Sequence, residues 1–394
     1  MPDEKLITAL RPNRQIFDTF LKMRKQIFFL FCLIFFAGYA SADITGKDHL
    51  FLLVGSYSDG TTSGISVYDF NIQTGDYSYV SDIKQIVNPS YLAVSQDEQM
   101  VYSVNETKEG AVSAFRFDKT KGILTLVNSQ PVKGADPCYI NVDKGKKFIV
   151  TANYSGGSIT VFPLNEDGSI KQASVSEVTI TTGQGPASHK HTVFFSPDET
   201  RLLVTDLGLD YITSYKINPE RIDSMNALHN ENRISLESGS GPRHLAFHPN
   251  GKYLYCINEL SGKVTAFSYK EYMLEAIQSI ASDTTQTSGK KGSADIHLTS
   301  DGRFLYSSNR LRADGIAIFS VNPENGLLTR IGYQSTGIHP RNFIITPNDQ
   351  FLLCANRNTN NIQIFKIDPS TGLLHDTGKE ILLDKPVCLK WIQK

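Results

Sequence analysis

The sequence predicts an all-β protein, a seven-bladed β-propeller with four antiparallel strands in each blade. Three observations predict this fold: a unit that repeats along most of the chain, strands and turns at fixed places in each copy, and two incomplete end copies that complement each other. The repeat has a period of roughly 45 to 53 residues, which is typical of propeller blades.

Each copy opens with a short strand that alternates apolar and polar residues. These openings are Pro89-Ser90-Tyr91-Leu92, Pro137-Cys138-Tyr139-Ile140, His189-Lys190-His191-Thr192, Pro242-Arg243-His244-Leu245, Asp295-Ile296-His297-Leu298, Pro340-Arg341-Asn342-Phe343 and Pro386-Val387-Cys388-Leu389. A turn such as His248-Pro249-Asn250-Gly251 follows, with the residue types that tight turns require. Three further strands complete the unit, and no convincing helical periodicity appears after residue 49.

The two ends of the chain predict how the ring closes. The last copy has only its first strand, and the amino-terminal unit over residues 50–80 lacks its own first strand. We expect the two ends to pair as one composite blade, which brings the ring to seven. Two stacked β-sandwiches, the structural alternative, fit the regular period poorly.

The first 42 residues predict an export signal. A cationic stretch from Met23 to Lys25 precedes an apolar run, and Ala40-Ser41-Ala42 supplies the small residues for cleavage. The apolar run is shorter than the roughly 20 residues that span a bilayer, so we expect no permanent membrane span. We therefore expect cleavage after Ala42, a periplasmic or secreted protein, and a propeller over residues 43–394. Met23 is a candidate for the true start.

Composition restricts the partners. The net charge is −1, and no basic run occurs beyond the amino terminus, so the electrostatic reason to expect nucleic acid is missing. Cys138, Cys256, Cys354 and Cys388 fall in different blades, and we expect them to be free, buried thiols. We expect a monomer.

Polar side chains converge at one mouth of the predicted channel. The first and second strands of a blade are antiparallel, so the start of the first and the end of the second lie at the same mouth. Strand-one starts supply His189, His191, Arg243, His244, Asp295, His297, His339 and Arg341; strand-two ends supply Asn105, Glu106, Asn153, Asp206, Asn258, Glu259, Asn309, Arg310, Asn356 and Arg357. Imidazoles and guanidiniums beside a few carboxylates suit a small anionic ligand.

Some of these residues have simpler explanations. The recurring Asn at strand-two ends is a common turn former. His189 and His191 share a strand face and could form a metal pair, but no carboxylate has matching spacing. The sequence has no Gly-x-Ser-x-Gly elbow and no phosphate-binding Gly-rich loop before a helix. Attack by an activated water, or proton transfer, is therefore the remaining candidate chemistry. Nothing in the sequence calls for a metal or a cofactor.

The block from Gly241 to Tyr255, followed by Asn258-Glu259-Leu260 and later by Ser308-Asn309-Arg310, resembles the seven-bladed 6-phosphogluconolactonase family. That family is also similar to fungal 3-carboxy-cis,cis-muconate lactonizing enzymes. The resemblance runs from about residue 49 to the end of the chain. It implies a lactonase whose catalytic residues are His189, His191, Arg243, Glu259 and Arg310. Ser188 stands where the family commonly has Pro, which leaves open whether His189 or His191 faces the pocket.

The leading hypothesis is hydrolysis of a small sugar-acid lactone. His191 would activate water, Arg243 or Arg310 would stabilise the oxyanion and hold an anionic group, and Glu259 would orient the base or Arg243. The predicted substrate-binding residues are His244, His297, Arg341, Asn258 and Asn309. Export would separate the protein from a phosphorylated lactone made in the cytoplasm, which favours a non-phosphorylated one. Cycloisomerisation and ligand binding without catalysis are the alternatives.

Overall fold

The computed structural model describes residues 48–178, 186–224, 227–285 and 291–394. Within these ranges the unit His49–Lys394 contains 28 strands arranged as seven four-stranded antiparallel sheets, which confirms the predicted seven-bladed propeller. The predicted signal region, including Ala42, lies outside the described residues.

The first three blades occupy the amino-terminal part of the unit. The first contains β1 (His49–Ser56), β2 (Ile65–Asn71) and β3 (Tyr77–Ile83). The second contains β4 (Leu92–Val94), β5 (Met100–Asn105), β6 (Ala111–Asp118) and β7 (Ile123–Pro131). The third contains β8 (Pro137–Val142), β9 (Phe148–Asn153), β10 (Ser158–Pro163) and β11 (Val175–Val178).

Four more blades follow in the same order. The fourth contains β12 (Lys190–Phe195), β13 (Arg201–Asp206), β14 (Tyr211–Ile217) and β15 (Leu228–Ser235). The fifth contains β16 (Pro242–Phe247), β17 (Tyr253–Asn258), β18 (Lys263–Lys270) and β19 (Met273–Ala281). The sixth contains β20 (Ser293–Leu298), β21 (Phe304–Asn309), β22 (Gly315–Val321) and β23 (Leu328–Ser335). The seventh contains β24 (Pro340–Ile345), β25 (Phe351–Asn356), β26 (Asn361–Ile367) and β27 (Leu374–Leu382).

The last strand, β28 (Pro386–Gln393), closes the ring by pairing with β1. Its register runs antiparallel from Leu50 opposite Gln393 to Gly55 opposite Cys388. The first blade is therefore the composite of both chain ends that the incomplete copies predicted.

The turn between the first and second strand of a blade repeats one design. In the fourth blade the Ser196 hydroxyl donates to Asp198 Oδ1, and Glu199 adopts a φ of 55°. Gly251 and Gly302 hold the equivalent positive-φ place in the next two blades, where glycine adopts this conformation at no steric cost. These turns lie at the end of the channel opposite to the strand-one starts, and we call that end the far mouth. The end at which the first strands begin is the site mouth.

The core lies between neighbouring blades. The middle strands are buried almost throughout, whereas outermost strands such as β19 and β23 alternate between covered and exposed residues. Three buried tyrosines donate across a blade boundary to a glycine carbonyl in the following blade: Tyr102 to Gly168, Tyr255 to Gly326 and Tyr306 to Gly372. Such repeated bonds satisfy polar groups inside the core and keep adjacent blades in register.

The fold bears on two expectations, one about the cysteines and one about a membrane span. The four cysteines of the propeller are free and buried, as predicted. In the described ranges, no helix is long and apolar enough to cross a membrane, and the only helix there is the 3₁₀ turn Pro219–Arg221.

Candidate active site

A β-bulge recurs at the start of the innermost strand of the blades. In β12, for example, Lys190 pairs with Asp206 and Thr192 with Thr205, so that His191 between them has no partner on β13. Six blades show this irregularity, and the second blade has Ser90 at the corresponding place of the repeat. The residues at this position around the ring are Val387, Ser90, Cys138, His191, Arg243, Ala294 and Arg341. A bulge redirects one side chain out of the regular alternation, here at the site mouth.

A second repeated position contributes to the same mouth. It is the residue that directly follows the second strand of each blade, and around the ring it holds Tyr57, Glu106, Tyr154, Leu207, Glu259, Arg310 and Arg357. Because the two strands are antiparallel, this residue lies next to the bulge of its own blade. The two positions together supply most of the site.

Glu259 is the centre of the charged cluster. Its Oε2 atom lies 2.9 Å from Nε of Arg243 and 3.1 Å from Nη2 of Arg310. Arg243 also donates through Nη1 to the carbonyl oxygen of Ala294, and Arg310 donates through Nε to that of Gly292, at 2.7 Å. Both guanidiniums are almost fully buried, and each is held by the Glu259 carboxylate on one side and by a backbone carbonyl on the other.

A second carboxylate lies across the mouth. The Tyr57 hydroxyl donates to both oxygens of Glu106, at 3.0 and 2.9 Å. Arg341 Nη2 is 3.8 Å from Glu106 Oε2, and the guanidiniums of Arg341 and Arg357 lie 5.4 and 4.8 Å from the centre of the Tyr57 ring. A cavity of about 640 Å³ opens here, lined by Tyr57, Glu106 and Arg357 among others.

The electrostatics of the cluster favour an added negative charge. Burial lowers the pKa of Arg310 to about 9, and repulsion from Arg243 and Arg341 lowers it as well. Burial alone would raise the pKa of Glu259, but attraction to Arg310, Arg243 and Arg341 outweighs it and leaves that pKa below its ordinary value. Glu259 is therefore ionised at neutral pH, and the guanidiniums still lack sufficient counter-charge.

Of the two neighbouring histidines, His191 lies at the bulge and is buried against the cluster. Its ring centre is 5.1 Å from that of His244, and its Nδ1 atom has no hydrogen-bond partner in the part of the chain that the structure describes. Burial and repulsion from Arg243 hold the pKa of His191 well below its usual value. His189 is half-buried, stacks on Tyr154 with ring centres 4.4 Å apart, and has Nδ1 3.1 Å from the Tyr154 carbonyl oxygen. His191 thus lies among the arginines, and His189 lies at the edge.

His244 lies directly beneath Arg243, and His297 lies farther down the channel. Arg243 Nη1 is 3.2 Å from His244 Nε2, and Asp295 has its two oxygens 2.7 Å from His244 Nδ1 and 3.0 Å from His297 Nε2. His297 lines a different cavity, of about 330 Å³, together with turn residues such as Thr299. That cavity reaches the turns of the far mouth and is also lined by His244, so His297 lies near His244 but away from Glu259 and the arginines.

The predicted asparagines bond to neighbouring hydroxyl groups. Asn258 Nδ2 donates to Thr265 Oγ1 at 2.9 Å, and Asn309 Oδ1 accepts from the hydroxyls of Ser282 and Ser293, at 3.0 and 2.6 Å. Both are buried. The structure therefore places Asn258 and Asn309 as links between strands, beside Glu259 and Arg310 in sequence but turned away from the cluster.

Tyr57 and Tyr154 were missing from the sequence-based site. A signal for them existed, because both directly follow the second strand of their blade, as Glu259 and Arg310 do. Tyr57 is easily missed, since the second strand of the composite blade is the first strand of the chain. Among the described residues, no group of three or more His, Cys, Asp or Glu side chains is arranged to hold a metal ion.

Comparison with known proteins identifies the family. A family model described as lactonase, 7-bladed beta-propeller, matches residues 51–391. The chain is 40% identical to a 6-phosphogluconolactonase of Formosa agariphila over 84% of this chain and 97% of that one, and 36% identical to a 6-phosphogluconolactonase of Bacillus subtilis over 86% and 98%.

Two solved structures are also similar to this chain in sequence and in fold. A candidate 6-phosphogluconolactonase of Bacteroides fragilis is 48% identical and superposes with a TM-score of 0.84, covering 89% of this chain and all of that one. A periplasmic gluconolactonase of Pseudomonas aeruginosa is 30% identical with a TM-score of 0.83, over 87% of this chain and 99% of that one. The expected relationship to a lactone-hydrolysing carboxylic ester hydrolase is confirmed: this chain belongs to the seven-bladed β-propeller lactonase family.

Proposed function

We propose that this protein opens a small sugar-acid lactone by hydrolysis at the site mouth. The observation that carries the proposal is the charge of the cluster. Four guanidiniums, those of Arg243, Arg310, Arg341 and Arg357, gather around two carboxylates, those of Glu106 and Glu259. Four positive and two negative charges leave an excess of two positive charges, which a phosphate, a carboxylate or a developing oxyanion would balance. Relatives named 6-phosphogluconolactonase and gluconolactonase support a lactone as the ligand.

In the proposed reaction, His191 accepts a proton from water as the water oxygen attacks the lactone carbonyl. The negative charge that develops on the carbonyl oxygen is stabilised by Arg243, whose Nη2 is not used in its bonds to Glu259, His244 and Ala294. The ring C–O bond then breaks, His191 returns the proton to the leaving alkoxide, and a carboxylic acid and a hydroxyl result. The acid releases its proton to solvent and becomes a carboxylate. Glu259 acts on Arg243 and Arg310 and holds both in place.

The low pKa of His191 fits this role once the ligand is present. Without a bound anion, His191 is neutral and can accept a proton, but Arg243 opposes the protonated form. A negative charge bound to the guanidiniums reduces that repulsion, which raises the basicity of His191 when it is needed. Arg310 and Arg341 would bind the anionic group of the substrate or the carboxylate of the product.

The compartment bears on the choice of lactone. An exported protein would meet a non-phosphorylated lactone such as an aldonolactone, whereas the charge excess favours a phosphorylated one. Both are therefore assayed side by side with the purified protein in ¹⁸O-labelled water, at a pH where spontaneous opening is slow. We expect ¹⁸O in the product carboxylate, detected by mass spectrometry, with NMR identifying the open acid.

The matched variants are His191→Gln and His229→Gln. His229 is exposed on β15, the outermost strand of the blade that carries His191. We expect His191→Gln to lower kcat by about 10²- to 10⁴-fold, the usual contribution of a general base, and His229→Gln to leave it unchanged. Equal turnover of both variants would exclude His191 as the base. A sugar acid that binds without lactone turnover would indicate a binding protein, and a cyclised product would indicate an isomerase.

A further inference from the structure

Asp295 is a fully buried carboxylate that accepts hydrogen bonds from three neighbouring strands. Its donors are His244 Nδ1 on β16, the Ile296 backbone N–H and His297 Nε2 on β20, and Asn342 Nδ2 and the Phe343 backbone N–H on β24. Burial would raise the pKa of Asp295, but His297 and His244 outweigh it and keep that pKa well below its ordinary value. An ionised carboxylate only accepts hydrogen bonds, so each of these partners must donate.

The two neighbours of His244 fix its protonation from opposite sides. Asp295 Oδ1, 2.7 Å from Nδ1, requires a proton on Nδ1. The guanidinium of Arg243, which only donates, lies 3.2 Å from Nε2 and requires a lone pair there. One neutral tautomer, with the proton on Nδ1, satisfies both contacts. Burial and Arg243 lower the pKa of His244 to about 3, so the doubly protonated ring does not form near neutral pH.

We infer that Asp295 is a positioning residue: it holds His244 in the Nδ1–H tautomer, and the free Nε2 of His244 then orients the guanidinium of Arg243 toward the site mouth. In the described part of the chain the Asp295 side chain makes no hydrogen bond to Arg243, Arg310 or Glu259, and His244 is the side chain that links it to Arg243. The effect of Asp295 on catalysis rests on the proposed function, because it assumes that Arg243 stabilises the oxyanion. The tautomer of His244 and the orientation of Arg243 do not depend on that function.

The tautomer can be measured in the unaltered protein. Long-range ¹H–¹⁵N correlation spectra distinguish a protonated from an unprotonated ring nitrogen, and His244→Phe assigns the signals among the nine histidines. We expect Nδ1 of His244 to carry the proton across the neutral pH range. A proton on Nε2, or an equal mixture of tautomers, would overturn the inference without any need for an Asp295 variant to fold.

The coupling to Arg243 is tested with Asp295→Asn. Asp295 Oδ2 accepts from Asn342 Nδ2 and the Phe343 N–H, so we expect the amide oxygen at that position and the amide nitrogen toward His244. His244 Nδ1 then becomes the acceptor, and its Nε2–H opposes Arg243. We expect the distance from Arg243 Nε to Glu259 Oε2 to lengthen in a crystal structure. We also expect kcat to fall by about 10²-fold, the effect of displacing a catalytic group by about 1 Å. The structural readout holds even if no lactone is turned over.

Two comparisons separate positioning from a general structural role. Asp283→Asn removes another buried carboxylate, one that pairs with Lys291 in the loop before β20, and serves as the control for lost stability. In a His244→Phe background, Asp295→Asn should change kcat less than twofold, because its route to Arg243 is already absent. An equal loss of kcat with and without His244, or a loss that Asp283→Asn reproduces, would refute the positioning role.

Discussion

Replacing Glu259 by Gln removes the one negative charge that Arg243 and Arg310 share and keeps the size of the side chain. Glu259 Oε2 lies 2.9 and 3.1 Å from the two guanidinium nitrogens. At a charge separation of about 4 Å and an effective dielectric constant of about 20, each pair is worth about 4 kcal/mol before desolvation. Removing one partner of a buried pair usually costs about 3–5 kcal/mol, because the other charge is left uncompensated.

The lower end of that range applies here. The Glu259 side chain is 23% exposed, so water screens part of the attraction, whereas the side chains of Arg243 and Arg310 are only 2% and 5% exposed. We expect Glu259→Gln to lower the free energy of unfolding by about 3 kcal/mol. For a domain of this size, a loss of that magnitude corresponds to a Tm lower by roughly 5 °C.

The assay is a thermal melt with and without an anion. Inorganic phosphate, compared with chloride at equal ionic strength, should raise the Tm of Glu259→Gln more than that of the unaltered protein, because two uncompensated guanidiniums then bind the phosphate. Glu275→Gln is the matched control, since Glu275 is exposed on β19, the outermost strand of the same blade. A Glu259→Gln protein that melts with the control and gains nothing from phosphate would refute the ion-pair reasoning.

Three further predictions follow from the same geometry. Because burial and Arg243 lower the pKa of His191, its neutral form persists as the pH falls. The value of kcat/KM should therefore stay level from neutral pH to below 6.5, and a fall of kcat/KM with a pKa of 6.5 would contradict the burial of this group. Arg310→Lys should raise KM at least tenfold, since a lysine cannot form the forked contacts of a guanidinium, whereas Arg303→Lys on an exposed turn of the same blade should not change it. All four propeller thiols are buried, and burial raises the pKa of Cys256 to about 12, so a thiol reagent should modify these cysteines only after unfolding. Rapid reaction of the native protein would show that a blade opens.

Much of this fold could be predicted because a propeller is a repeat. The period and the two incomplete end copies were enough to predict seven blades and the pairing of β1 with β28. The meeting of Arg243, Glu259 and Arg310 could also be predicted, because antiparallel strands bring those positions to one mouth.

The other features of the site depend on contacts that a repeat pattern does not specify. His297 was grouped with the strand starts, but it lies four residues beyond Ser293, and a strand rises about 3.3 Å per residue, so it lies about 13 Å farther down the channel. A bulge has no clear sequence signature, so nothing in the sequence distinguished His191 from His189. Asn258 and Asn309 follow the predicted pattern but satisfy buried hydroxyl groups, a role that depends on the third strand and the blade connections rather than on spacing.

The size of the residue at the bulge position differs around the ring. Blades four, five and seven place His191, Arg243 and Arg341 at the bulge, whereas blades one and two place Val387 and Ser90 there. The cavity of about 640 Å³ lies beside the first two blades, where its lining includes Tyr57, Val87 and Glu106. A repeated backbone irregularity therefore places the proposed catalytic groups on rigid strands, and the cavity beside them is the proposed place for the ligand. Filling that cavity by Val87→Trp, at an exposed residue of its lining, should block ligand binding while the ion pairs of Glu259 stay intact, and calorimetry with a sugar acid would show it; undiminished binding would place the ligand elsewhere.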